Sequence, residues 1–114
     1  MNEQDKLKQL ENEFKECRAV LTAIGDETRQ LIILSLMKGT YPGIRVGEIT
    51  KRTNLSRPAV SHHLKILKEA KIVTLVKQGT MNFYHINPGK SDLILMKRLF
   101  SHVEEFMCDC WKED

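Results

Sequence analysis

The run Leu55-Ser56-Arg57-Pro58-Ala59-Val60-Ser61-His62-His63-Leu64-Lys65-Ile66-Leu67 sets hydroxyls, imidazoles and cations beside an apolar stripe. Val60, Leu64 and Leu67 stand at i, i+4 and i+7, the step of a helix face turned to a core. Arg57, Ser61, His62 and Lys65 then fall on the exposed side. Such groups donate to phosphate oxygens and to base edges. Arg57 is the leading candidate for a bidentate contact to guanine, because its fork matches O6 and N7; its alternative role is a plain phosphate contact. Ser56 has two roles open to it, N-cap and phosphate donor. Pro58 is tolerated in a first turn, and near a groove it is placed to touch a thymine methyl. His62 is expected to face nucleic acid, and His63 to bond near the core or to a phosphate. The two do not form a metal pair, since adjacent helical positions point about 100° apart.

Cys17, Cys108 and Cys110 are the second chemistry-bearing set. Three cysteines are too few, and odd in number, for a disulfide framework; thiols are expected. Cys108 and Cys110 are about 200° apart on a helix, which suits one shared ion only at a frayed end. A thiol oxidoreductase built on this pair lacks the strand-to-helix Cys-x-x-Cys context that lowers a thiol pKa. The packing alternative is that Cys17 and Cys110 fill apolar seams, as free cysteine often does.

These residues need a scaffold. Residues 4–24 read as one long helix, apolar at Leu7, Leu10, Phe14, Cys17, Leu21 and Ile24, in steps of three and four. Gly25 stops it. Asp26 caps a second helix reaching about Lys38, with Leu31, Ile32, Leu34 and Leu36 expected inside. Residues 40–43 form a turn. A short helix, Val46–Thr53, is followed by Asn54-Leu55 and by the helix that Ser56 opens, which is helix-turn-helix spacing. Lys51 and Arg52 on the short helix are phosphate candidates.

After Lys71 the period changes to two. Ile72–Lys77 and Met81–Asn87 read as strands joined at Gln78-Gly79-Thr80, so Lys77, Gln78 and Thr80 ride on a hairpin tip near a DNA backbone or minor groove. Pro88-Gly89 ends the second strand. Ser91 or Asp92 caps a last helix to about Trp111, with Leu93, Met96, Phe100, Val103, Met107 and Cys110 on its apolar steps. The fold class is mainly α with a small β-hairpin: a winged helix-turn-helix between long N- and C-terminal helices. Residues 1–114 make one domain, with the helix-turn-helix at 46–70 and the wing at 72–87.

Composition agrees with one folded domain. Of 114 residues 41% are hydrophobic and 29% charged, which excludes global disorder. No apolar run exceeds four residues, as in Leu31–Leu34, so no membrane span is expected. The polar N-terminus does not read as a signal peptide, and a cytoplasmic location is expected. The net charge of +3 is unevenly spread: residues 45–81 carry a net +6, residues 1–30 and 90–114 a net −2 each, and Lys38 adds +1. That pattern fits a polyanion-binding middle; a solvated basic face is the plainer alternative.

Several segments resemble, in order and spacing, the ArsR/SmtB family of small prokaryotic repressors. Ala23-Ile24-Gly25-Asp26-Glu27-Thr28-Arg29 is similar to its opening motif, Val46-Gly47-Glu48-Ile49 to its short third helix, and residues 55–67 to its recognition helix. Gly79 with Tyr84-His85-Ile86 resembles its wing, although Thr80 stands where many members carry Arg. The resemblance spans roughly residues 19–88. It implies a homodimer that represses transcription from double-stranded DNA with a roughly palindromic operator, without a required cofactor. Two recognition helices would then meet half-sites about 34 Å apart.

The same resemblance implies a dimer interface from residues 1–24 and 90–114. Leu7, Leu10, Phe14, Cys17, Leu21, Phe100, Val103, Met107 and Cys110 are its expected residues. The seams support this independently: a fully exposed Leu or Phe forgoes about 1.5–3 kcal/mol of burial, and a second copy supplies the cover.

Members of the family often release DNA on binding a metal or metalloid, or when a thiol is modified. The thiolate site of the third helix is absent here, because Arg45 and Gly47 stand at its positions. Of the last-helix site only His102 and Glu105 match; the other positions fall near Gly89 and Ser91. Arg98, His102, Glu105 and Asp109 therefore read as a solvated, salt-bridged face. Because the first and last helices are neighbours in the family's dimer, Cys17, Cys108 and Cys110 are the remaining candidates for a trigonal site for arsenite or a soft metal, or for an oxidation switch. A winged helix serving only as a protein-interaction module, or a small thiol-redox protein using Cys108 and Cys110, are the competing functions.

Overall fold

A computed structural model describes residues 2–87, 89 and 92–111, apart from the side chain of Cys110. Eight elements follow one another: α1 (Glu3–Glu16), α2 (Arg18–Ile24), α3 (Glu27–Met37), α4 (Val46–Thr53), α5 (Arg57–Glu69), β1 (Val73–Gln78), β2 (Met81–Ile86) and α6 (Leu93–Cys110). The architecture is a winged helix-turn-helix, as expected, with α1 and α6 packed side by side.

The single N-terminal helix expected over 4–24 is two helices. Asn2 caps α1, its side chain accepting from the Asp5 N–H at 2.8 Å. At Cys17 the backbone turns to φ −89°, ψ 0° and α2 begins. The two halves serve different neighbours: α1 packs on α6, while α2 packs on α3 and α5 as well. A bend at Cys17 lets both halves bury their apolar sides.

Asp26 caps α3 as expected, with Oδ2 accepting from the Arg29 N–H at 2.9 Å. The inward residues of α3 are Ile32, Ser35 and Leu36; Leu31 and Leu34 are exposed, contrary to the expected stripe. At about 100° per residue the four expected positions spread over roughly 200° of the helix, too wide for one buried side. Gly43 (φ +124°) lets the chain pass against β2, where a Cβ would run into the Tyr84 carbonyl. Ile44 and Tyr84 then exchange two backbone hydrogen bonds, each 2.8 Å.

α4 ends at Asn54, which adopts the left-handed conformation (φ 59°) and turns the chain toward α5. Ser56 caps α5, its Oγ accepting from the Ala59 N–H at 3.3 Å, and Pro58 sits in the first turn. β1 and β2 pair antiparallel from Val73↔Ile86 to Gln78↔Met81, with Gly79 (φ +64°) in the turn.

Asp92, one of the two expected caps of α6, makes no side-chain cap; the other, Ser91, lies with Pro88 outside the described residues. The core gathers Val20, Ile32, Ile49, Val60, Leu64, Leu67 and Ile72, with Cys17 and Leu99 equally sealed. Leu99 was not on the expected apolar seam of α6, yet it is the residue of that helix driven deepest.

The seam residues divide. Leu10 and Cys17 are buried inside one chain. Leu21 and Val103 are half-buried against the same core. Leu7, Phe14, Phe100 and Met107 keep about half their surface exposed. The Cys110 side chain lies outside the described residues. No described helix is long and apolar enough to cross a membrane.

Candidate nucleic-acid interface

The site is built on α4, α5 and the hairpin. Burial of Val60, Leu64 and Leu67 fixes the rotation of α5. Ser56, Arg57, Pro58, Ser61, His62 and Lys65 are thereby turned to solvent. Lys51 is exposed on α4, and Lys77, Gln78 and Thr80 are exposed at the hairpin tip. A concavity of about 580 Å³ joins these elements, lined among others by Arg45, Gly47, Lys51, Arg57, Thr80 and Asn82.

Two of the expected contacts have internal partners. Arg52 bonds Glu48 Oε1 through Nε at 3.3 Å and the Ser35 carbonyl through Nη1 at 3.1 Å, tying α4 to α3. His63 is half-buried, with Nδ1 3.2 Å from Nη1 of Arg29. A guanidinium only donates, so Nδ1 accepts and the ring proton sits on Nε2. His62 and His63 lie edge to face, ring centroids 5.6 Å apart and planes at 61°.

Arg29, Arg45 and Asn82 were not singled out as site residues from the sequence. Arg29 also donates to the carbonyls of Ala23 (2.6 Å) and Thr22 (3.2 Å), so one side chain joins the end of α2, the start of α3 and the middle of α5. The Arg29 N–H in turn holds the Asp26 carboxyl below its usual range, helped by the nearby guanidinium. Arg45 and Asn82 reach the groove because the Ile44–Tyr84 bridge brings the start of α4 beside β2. That pairing crosses forty residues and leaves no local signal.

The candidate sensing residues are dispersed. Cys17 is sealed at the α1–α2 bend; burial, then Glu16, Glu13 and Asp92, push its thiol pKa up against the opposing pull of Arg98. Cys108 is exposed on α6. A site shared by all three thiols would need Cys17 to leave the core. Among the described residues no group of three or more His, Cys, Asp or Glu is gathered to hold a metal ion. Within the expected salt-bridged face, the half-buried His102 turns inward: its Nδ1 donates to the buried Glu13 carboxylate across the α1–α6 contact. Asp109 pairs with Lys6 of α1 at 3.7 Å.

Comparison with known proteins agrees with this geometry. Residues 26–74, from the α3 cap into β1, match the family described as bacterial regulatory protein, arsR family. The transcriptional repressor SdpR of Bacillus subtilis is 40% identical over 68 residues, covering 60% of this chain and 72% of that protein. The arsenical resistance operon repressor of Staphylococcus aureus is 26% identical over 97 residues, or 85% of this chain and 90% of that one. Among solved structures, an ArsR-like transcriptional regulator from Rhodococcus sp. RHA1 has a TM-score of 0.72 at 25% identity, over 81% of this chain and 80% of the other. With the helix-turn-helix, its wing and a 40% identical relative in agreement, the chain belongs to the arsR family of bacterial regulatory proteins, whose role is regulatory and not enzymatic.

Proposed function

We propose that the chain is a homodimeric, sequence-specific DNA-binding transcriptional repressor. The observation that carries the reading is the division of α5: Val60, Leu64 and Leu67 are buried, while Arg57, Ser61, His62 and Lys65 are exposed beside Lys51 and the hairpin tip. α5 enters the major groove, Ser61, His62 and Lys65 meet base edges, and Lys51, Lys77 and Gln78 meet phosphates. The half-exposed Leu7 and Phe14 of α1 and Phe100 and Met107 of α6 supply the contact between two copies. That contact sets two recognition helices against the halves of a roughly palindromic operator.

A salt titration tests the DNA-binding part. The protein selects a duplex from a random-sequence library, and affinity is followed by fluorescence anisotropy as salt is raised. Six or more phosphate contacts per dimer require log affinity to fall with log salt at a slope of about −5 or steeper. A flat line would sink the reading. Sedimentation equilibrium tests the dimer on the same sample.

A further inference from the structure

Gly47 is the second residue of α4, and its backbone is an ordinary helical one, outside the left-handed region that calls for glycine. Glycine inside a helix is less stable than alanine. A Cβ built on Gly47 would meet one side chain: Nη2 of Arg57 at 3.0 Å and Cζ at 3.7 Å. The Arg57 guanidinium therefore lies against the bare face of Gly47, in a contact that a Cβ would crowd, drawn sideways from α5 onto the first turn of α4.

The surroundings are cationic. Arg45 and Lys51 line the same groove, with Thr80 and Asn82 opposite on the hairpin side. The acid on this wall, Glu48, is engaged by Arg52 at 3.3 Å. A guanidinium lying on α4 does not extend in front of α5, where Ser61, His62 and Lys65 point. It offers its donors to whatever enters between α4 and the hairpin. A phosphodiester matches those donors and the neighbouring charges; a base edge does not call for three cations around one groove.

We propose that Gly47 is a positioning residue for Arg57, and that Arg57, seated on Gly47, grips a backbone phosphate of duplex DNA in place of the guanine edge its sequence position first indicates. This rests on the reading of the chain as a DNA-binding repressor.

The test compares wild type, Gly47→Ala, Arg57→Ala and the double variant on the duplex selected by the wild-type protein and on a scrambled duplex. Affinity is read over about 50–200 mM salt, and a thermal melt is recorded for each. Gly47→Ala is expected to weaken binding roughly tenfold on both duplexes and to make the salt slope shallower by about one to two units per dimer, while its melting temperature holds or rises. Arg57→Ala is expected to do the same to binding, and adding Gly47→Ala to it to change nothing further.

Unchanged binding in Gly47→Ala, additive losses in the double variant, or a Gly47→Ala protein that melts lower overturns the positioning role. A loss in Arg57→Ala confined to one base pair, with the salt slope intact, overturns the phosphate assignment. Failure of the wild type to bind any duplex overturns the repressor reading and this inference together, and is visible before any variant is made.

Discussion

Nδ1 of His102 lies 2.8 Å from each carboxylate oxygen of Glu13, so one buried acid on α1 is held by one imidazole on α6. The carboxylate accepts and the ring N–H donates. Removing the imidazole strands a carboxylate in a place water reaches poorly. His102→Ala is expected to lower stability by about 1–3 kcal/mol in urea denaturation, and Glu13→Gln by less, because an amide oxygen remains an acceptor. Equal, negligible losses would mean that solvent already satisfies Glu13.

Arg29 gathers two carbonyls and the His63 ring. Arg29→Ala is expected to destabilise by about 1.5–3 kcal/mol and to weaken DNA binding as well, since α5 loses a tether at its midpoint. Arg29→Lys should recover only part of this, because an ammonium cannot address three partners from one plane. Denaturation and anisotropy on the same preparations separate the two effects.

Asp26 has a depressed carboxyl pKa in the folded chain, chiefly through the Arg29 N–H. A folded pKa below the unfolded one means that the cap stabilises fully above the unfolded value, about 3.9, and fades as pH falls through the folded value. The melting temperature of Asp26→Ala should therefore lie below wild type at neutral pH, and the gap should close on acidification below about pH 4. A gap independent of pH would assign the effect to packing.

Cys17 is buried with its thiol pKa raised, whereas Cys108 is exposed. In a Cys110→Ser background, a maleimide at neutral pH is expected to label Cys108 quickly and Cys17 only as the chain unfolds. Rapid labelling of both, followed by intact mass, would show that the α1–α2 bend opens in the native state and would return Cys17 to the list of sensing residues.

Phe14 on α1 and Phe100 on α6 are each about half exposed. A charge at either position sets like charges against each other if two copies meet there. Phe100→Glu is expected to give monomers in sedimentation with an unchanged far-ultraviolet circular dichroism spectrum, and Phe14→Glu the same. A persistent dimer in both would move the contact to another face.

How much of this was legible in the residues follows from range. Val60, Leu64 and Leu67 repeat with the helical period, so the rotation of α5 and its exposed face could be read locally. Asp26 and Ser56 bond three residues ahead, and both caps were readable for the same reason. The run Leu31–Leu34 carries no period, and its inward side was settled by what packs on α3. Arg52 with Ser35, Arg29 with His63 and Glu13 with His102 join residues 17, 34 and 89 positions apart. Local patterns say nothing of such partners. Arg52 was therefore read as a phosphate contact when it was already engaged, and the partner of His102 could not be named.

The paired bonds between Ile44 and Tyr84 make the hairpin and the start of α4 a single piece. The hairpin is thereby tied at its inner end to α4, and in the proposed complex the groove between it, α4 and α5 works as a caliper. In the DNA complex proposed above, a duplex entering that groove has to match its width, and misfit falls on the duplex, whose grooves vary in width and stiffness with sequence. Discrimination then extends to base pairs that no side chain touches.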